Sequence, residues 1–167
     1  LHFRSYDNFI FTPVIKKEIL EVQATDGNYI TVYLPSYCEP QLINIFQPFG
    51  DIRFEIFSSQ TTLPKTYDNI SLLPVSKKLF NQSLVNCSGI ITGGGFETPA
   101  EALHLGKKIM TIPIRGQYEQ QCNAAALELA QGQQDLLGAA QGEGRDQHLA
   151  TPRRDLGHGL HQAALLG

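Results

Sequence analysis

The sequence predicts a doubly wound α/β domain, a parallel sheet with helices on both faces, and three observations predict it. Short runs rich in β-branched and aromatic residues recur at 29–34, 52–57, 69–75, 87–92 and 108–113. Segments with helical spacing of apolar residues separate most of them, at 40–46, 77–85, 98–106 and 119–130. The fourth run ends directly in Gly93-Gly94-Gly95, and a helix follows. Short apolar strands alternating with helices imply a sheet buried on both sides. Such sheets bind ligands at the carboxyl ends of their strands.

Each element has a local reason. Thr12-Pro13-Val14-Ile15 reads as an extended linker entering the charged segment Lys16-Lys17-Glu18. The run 29–34 is closed by Pro35-Ser36, and the helix 40–46 carries Leu42, Ile43 and Phe46 on one face. Residues 52–57 alternate apolar and polar and stop at Ser58-Ser59. Residues 69–75 form a short third strand, and the helix 77–85 places Leu79, Phe80 and Leu84 together. The next helix opens near Thr98, where Pro99 suits the first turn, and Gly106 closes it. An Ala-rich helix over 119–130 follows the fifth strand.

The 167 residues suffice for one domain or one domain plus a tail. A formal charge of -3 argues against a general nucleic-acid binder, which carries a basic excess. Cys38, Cys87 and Cys122 lie far apart with no C-x-x-C spacing, so neither a zinc site nor a disulfide framework is expected. Free thiols fit a cytoplasmic setting. No apolar run approaches the ~18 residues of a membrane span. The start at Leu1-His2-Phe3-Arg4 reads as that of a piece of a longer protein. Composition changes near Gln131: every Phe, Tyr, Ile, Val and Lys precedes it. The expected organisation is a linker and lead-in over 1–28, a ligand-binding domain over 29–130, and a low-complexity tail over 131–167, either natural or read in a shifted frame. That tail buries too little to offset its ordering entropy. Its His148, His158 and His161 lack the flanking pattern of metal ligands.

The chemistry concentrates in residues 90–126. Glycines after a strand allow close approach of backbone and positive φ. The helix behind them offers unpaired N–H groups and a positive dipole end, together a site for a pyrophosphate. Thr98 is placed to cap the helix or to donate to a phosphate oxygen. The pattern is neither G-x-G-x-x-G, since Thr98 stands at the last glycine position, nor a G-x-x-x-x-G-K-[ST] loop. A turn that serves tight packing alone is the other reading. Glu101, in the first turn, offers a carboxylate suited to paired ribose hydroxyls; a plain helix-dipole role is its alternative. The loop Pro113-Ile114-Arg115-Gly116-Gln117-Tyr118-Glu119-Gln120 carries groups that can read hexose hydroxyls, and Arg115 can offset phosphate charge. Taken alone, this loop reads first as a solvated turn.

At these residues the sequence resembles a family. Gly95-Phe96-Glu97-Thr98-Pro99-Ala100-Glu101-Ala102, then Pro113, then Glu119-Gln120-Gln121-Cys122-Asn123-Ala124, is similar to the donor-binding segment of GT-B glycosyltransferases. The nearest relatives look like UDP-glycosyltransferases and the N-acetylglucosaminyltransferase of peptidoglycan synthesis. The specific match covers about a quarter of the chain, and the looser order of elements covers 29–130. The resemblance implies a Rossmann-like domain forming one half of a GT-B fold. It implies that Gly94, Gly95, Phe96 and Thr98 hold the pyrophosphate of a nucleotide sugar such as a UDP-sugar, and that Glu101 binds the ribose. Glu119 and Gln120 would contact the transferred sugar, and Asn123 would support the loop or approach the phosphates. The nucleobase would sit near Leu73-Pro74-Val75. No metal and no cofactor are implied, and the acceptor is left open. The other domain would supply the catalytic base and any peripheral membrane contact, so the chain alone would transfer no sugar. Two departures stand out: Gly93 where many members have His, and Glu97 where Asn is common. A UDP-sugar epimerase on the same fold is a rival, with His104 the one histidine near the motif. A non-catalytic structural domain is the other.

Overall fold

The computed structural model describes residues 13–141. The elements run α1 (Lys17–Leu20), β1 (Tyr29–Tyr33), α2 (Glu39–Phe46), β2 (Arg53–Ser58), β3 (Lys65–Tyr67), β4 (Ile70–Pro74), α3 (Lys77–Asn86), β5 (Gly89–Thr92), α4 (Glu97–His104), β6 (Lys108–Thr111) and α5 (Tyr118–Gln141). The strands form one six-stranded sheet in the order β3-β4-β2-β1-β5-β6. All neighbours are parallel except β3 and β4. The predicted α/β class, a Rossmann-like sheet with helices on both faces, is the fold observed.

The order of strands explains the two faces. From β1 the chain steps one way to β2 through α2, and later the other way through β5 to β6. Right-handed crossovers then place α2 on one face and α3 and α4 on the opposite one. The core divides accordingly. Leu42 and Phe46 of α2 pack with Val32, Phe54, Ile56, Ile70, Leu72 and Ile91. Leu84, Ala102, Leu103 and Leu127 of the other helices pack with Ile90 and Ile109. Ile90 and Ile91 are adjacent in β5 and serve opposite faces, as the period of two requires.

β3 is the element that sequence reasoning omits. Parallel neighbours β2 and β4 need a return connection. Here the return is β3 itself, running antiparallel along the outer edge of β4 rather than a helix. Its three residues are all exposed, so they carry no apolar signal. The turn into β4 passes through Asp68 at φ 46, a left-handed conformation that Asp tolerates better than most residues. Asn69 then donates from Nδ2 to the carbonyls of Phe46, Phe49 and Ile52 at 3.2, 2.9 and 3.0 Å. One amide, sharing its two hydrogens among three carbonyls, thus ties the connection between α2 and β2 to the start of β4.

The residues before β1 dock on the domain instead of leading away from it. Ile19 is fully buried. Thr25 N–H donates to the Val85 carbonyl at 3.1 Å, and Gly27 N–H to that of Asn86 at 2.8 Å. Glu18 pairs with Lys77 at 3.0 Å. Lys107, itself buried, donates to the carbonyls of Thr25 and Cys87. At the other end, α5 continues through position 130, where the composition changes, as far as Gln141. His148, His158 and His161 lie outside the described residues. No described helix is long and apolar enough to cross a membrane, and no described cluster of His, Cys, Asp and Glu could hold a metal ion.

Candidate functional site

A cavity of about 870 Å³ opens at the carboxyl ends of β1 and β5. This is where the strand order reverses, the position at which doubly wound sheets bind ligands. Three chain segments wall it: the loop after β1, the glycine turn with the first turn of α4, and the loop from β6 into α5.

The glycine turn owes its composition to one close approach. A methyl group on Gly94 would stand 2.5 Å from the Gln120 carbonyl oxygen, whereas one on Gly95 would meet nothing within 4 Å. None of the three glycines has positive φ; among described glycines only Gly106 and Gly116 do. The expected conformational reason is therefore not the one at work. Gly94 is glycine because the start of α5 lies against it, and Asn123 Nδ2 donates to the Gly94 carbonyl at 3.0 Å.

α4 begins one residue earlier than expected, at Glu97. Phe96 is its N-cap in a helical conformation, with no side chain capping the end. Thr98 is thus inside the helix and caps nothing; its side chain lines the cavity instead. The uncapped N–H groups of this turn remain available to an anion. The far end is closed by Gly106 at φ 69. There Gly106 N–H bonds to the Leu103 carbonyl and Lys107 N–H to that of Ala102, the paired pattern that terminates helices at glycine.

The β6–α5 loop is clipped to the same place by Gln120. Its Oε1 accepts from the Ile114 N–H at 3.0 Å, and its Nε2 donates to Gln117 Oε1. Arg115 and Gln120 both line the cavity. Across from them stand Tyr33, Leu34, Pro35, Ser36 and Tyr37 after β1, and Gln41 of α2. In sequence, Pro35-Ser36 signals only the end of a strand. The reversal of strand order at β1 was the signal that could have assigned this loop to the site, but strand order is invisible without the pairings.

Of the expected site residues, Gly95, Phe96, Thr98 and Gln120 meet at the cavity. Gly94 and Asn123 lie behind it, as support for the turn. Glu119 is exposed and off the wall. Leu73, Pro74 and Val75 are not part of the wall either. His104 is exposed at the last turn of α4 and does not line the cavity.

Glu101 is fully buried. Lys16 Nζ donates to its Oε2 at 3.3 Å. The other oxygen, Oε1, is 3.2 Å from the same ammonium but receives no hydrogen bond. Lys16 also reaches Glu97 at 2.9 Å. Burial pulls the Lys16 pKa down, but the hydrogen bonds and charges of Glu97 and Glu101 outweigh it and leave it raised.

A comparison with known families decides what this arrangement belongs to: the family model for "Glycosyl transferase family 1" matches residues 3–139. The chain belongs to glycosyl transferase family 1. Among solved structures, this family 1 chain is similar to the glycosyltransferase SnogD from Streptomyces nogalater, at 22% identity and a TM-score of 0.47. The match covers 96% of this chain and 43% of SnogD, so the family 1 chain spans less than half the length of that protein. No curated protein matches it.

Proposed function

We propose that this chain is the donor-binding half of a two-domain GT-B glycosyltransferase and holds a nucleotide diphosphate sugar in the cavity at the β1/β5 reversal. The observation that carries this reading is the convergence on one cavity of the glycine turn, the uncapped start of α4 with Thr98, and the Gln120-clipped loop. The diphosphate lies over the first turn of α4, where backbone N–H groups and the Thr98 hydroxyl donate to it. Glu101, the carboxylate expected at the ribose, is fully buried and off the cavity wall, so it supports the first turn of α4 through Lys16 instead of meeting the ligand. Gln120, on the cavity wall, faces the transferred hexose, and Glu119 lies off that wall.

The chemistry is transfer of the sugar to an acceptor hydroxyl with inversion and without a metal. The acceptor oxygen attacks the anomeric carbon, the bond to the diphosphate breaks, and the acceptor proton passes to a base on a second domain outside this chain. The helix end stabilises charge developing on the leaving diphosphate. Among the residues lining the cavity, the one carboxylate is Glu97, and Lys16 occupies it. Among the described residues, no histidine lines the cavity. The purified chain therefore binds donor and transfers no sugar.

Calorimetry with UDP, GDP and dTDP tests the reading and names the nucleobase, comparing the chain with a Thr98→Val variant, which removes a hydroxyl on the cavity wall. Binding of one diphosphate that weakens at least severalfold in the variant, with an unchanged melting temperature, supports it. Absence of binding to all three by the folded chain overturns it.

A further inference from the structure

Glu97 is out of place in a site for a diphosphate. It stands at the first position of α4, lines the cavity and is exposed. A carboxylate there competes with an anionic ligand for the same helix end and repels it. The remaining charge on the wall does not resolve the conflict. Arg115 is the one cation among the lining residues, and with Glu97 present the lining sums to zero. A diphosphate brings at least two negative charges.

The missing positive charge comes from Lys16, 81 positions before Glu97. Lys16 Nζ contacts Glu97 Oε1 at 2.9 Å and both oxygens of Glu101 at 3.2 and 3.3 Å. It is held there by a segment that is docked independently, through the buried Ile19 and the Glu18–Lys77 ion pair. Its side chain is 30% exposed, so the ammonium is neither sealed in nor free to wander.

We propose that Lys16 is a positioning residue of the donor site. Its ammonium, shared between Glu97 and the buried Glu101, offsets the Glu97 charge at the mouth of the cavity and so lets the start of α4 accept a diphosphate. The inference rests on the donor-binding reading above. It adds that the segment before β1 is part of the binding site and not only a connection. It also gives the Glu97 departure from the family pattern a physical partner.

The test uses the full chain with whichever of UDP, GDP and dTDP binds best, and the corresponding nucleoside as uncharged control. Lys16→Met leaves both Glu97 and the buried Glu101 without their cation, and diphosphate affinity falls on the order of tenfold, the size of one unscreened charge a few ångströms from the ligand. Nucleoside affinity stays unchanged. Lys16→Met combined with Glu97→Gln restores diphosphate affinity to within about twofold of the parent. Glu97→Gln alone tightens diphosphate binding. Melting temperatures accompany every variant, and Lys16→Arg retains affinity if Lys16→Met proves unstable. A Lys16→Met loss that Glu97→Gln does not rescue, or an equal loss of nucleoside affinity, overturns the inference and assigns Lys16 a structural role. Unchanged diphosphate affinity in Lys16→Met overturns it while leaving the donor-binding reading standing. Failure of the parent chain to bind any diphosphate overturns both.

Discussion

Gly94→Ala separates packing from backbone freedom at the glycine turn. The added methyl would sit 2.5 Å from the Gln120 carbonyl oxygen and 2.7 Å from its Cβ. Both belong to α5, so relief requires the helix start to move by about an ångström, since carbon–oxygen contacts settle well above 3 Å. Overpacking of this kind costs about 1–3 kcal/mol. Moving α5 also disrupts the Asn123 bond to the Gly94 carbonyl, a further ~1 kcal/mol. Together they amount to about 2–4 kcal/mol, or a fall in melting temperature on the order of 10 °C. Gly95→Ala is the internal control. Its methyl meets nothing within 4 Å and its φ is not positive, so it changes stability by less than ~1 kcal/mol and can stabilise through the unfolded chain. Thermal melts followed by circular dichroism measure both. Equal melting temperatures for the two variants would refute the claim that Gly94 exists for the approach of α5. Gly94→Ala also weakens nucleotide binding, because Gln120 clips the Ile114 N–H and moves with the helix.

Two further predictions concern the frame. Ser83 Oγ donates to Glu55 Oε2 at 2.6 Å and lies 2.7 Å from Thr31 Oγ1, which is buried. With its own proton committed to Glu55, Ser83 accepts from Thr31. Ser83→Ala leaves both partners stranded and costs about 1–3 kcal/mol in urea unfolding, while Ser83→Thr retains most of the stability. On the other face, Glu39 accepts from Thr61 Oγ1 at 2.6 Å and Ser58 Oγ at 2.7 Å. The Thr61 and Ser58 hydroxyls hold its pKa below the usual 4.5. A depressed folded-state pKa gives stability that is present above 4.5 and lost as pH falls below it. Thr61→Val therefore flattens the acid limb of the stability curve below pH 4.5; an unchanged limb would exclude Glu39 as a contributor.

How much of this was legible depends on which residues carried local signals. The five parallel strands announce themselves because both faces of the sheet are covered, so β1, β2, β4, β5 and β6 are apolar or β-branched in sequence. β3 is silent because Lys65, Thr66 and Tyr67 sit at the edge with all three side chains exposed. The start of α4 was displaced by one residue because Thr98 has the chemistry of a cap, whereas Phe96, which occupies the cap, has none. Glycine at 94 was visible but its cause was not: the neighbour that demands it, Gln120, lies 26 positions on. The half of the site formed by the strand and turn at 90–101 was readable for the same reason that strand–turn–helix motifs are readable anywhere. The half formed by Tyr33 to Tyr37 depends on β1 lying beside β5, a long-range pairing with no local signature.

The clearest case of that limit is Lys16. In sequence it is one of two lysines in a charged run following a proline, and its chemistry there is that of a solvated surface residue. The fold places it against two carboxylates of α4 because the segment before β1 folds back along α3, fixed by Thr25 and Gly27 on the Val85 and Asn86 carbonyls. Gly27 is required for this path, since a methyl there would stand 2.2 Å from the Asn86 oxygen. The same backbone bonds that hold the segment down therefore set where the ammonium stands relative to the cavity. On the proposed donor-binding reading, the site draws part of its charge from a part of the chain that precedes the sheet. Its electrostatics consequently depend on the docking of that segment as much as on the glycine turn.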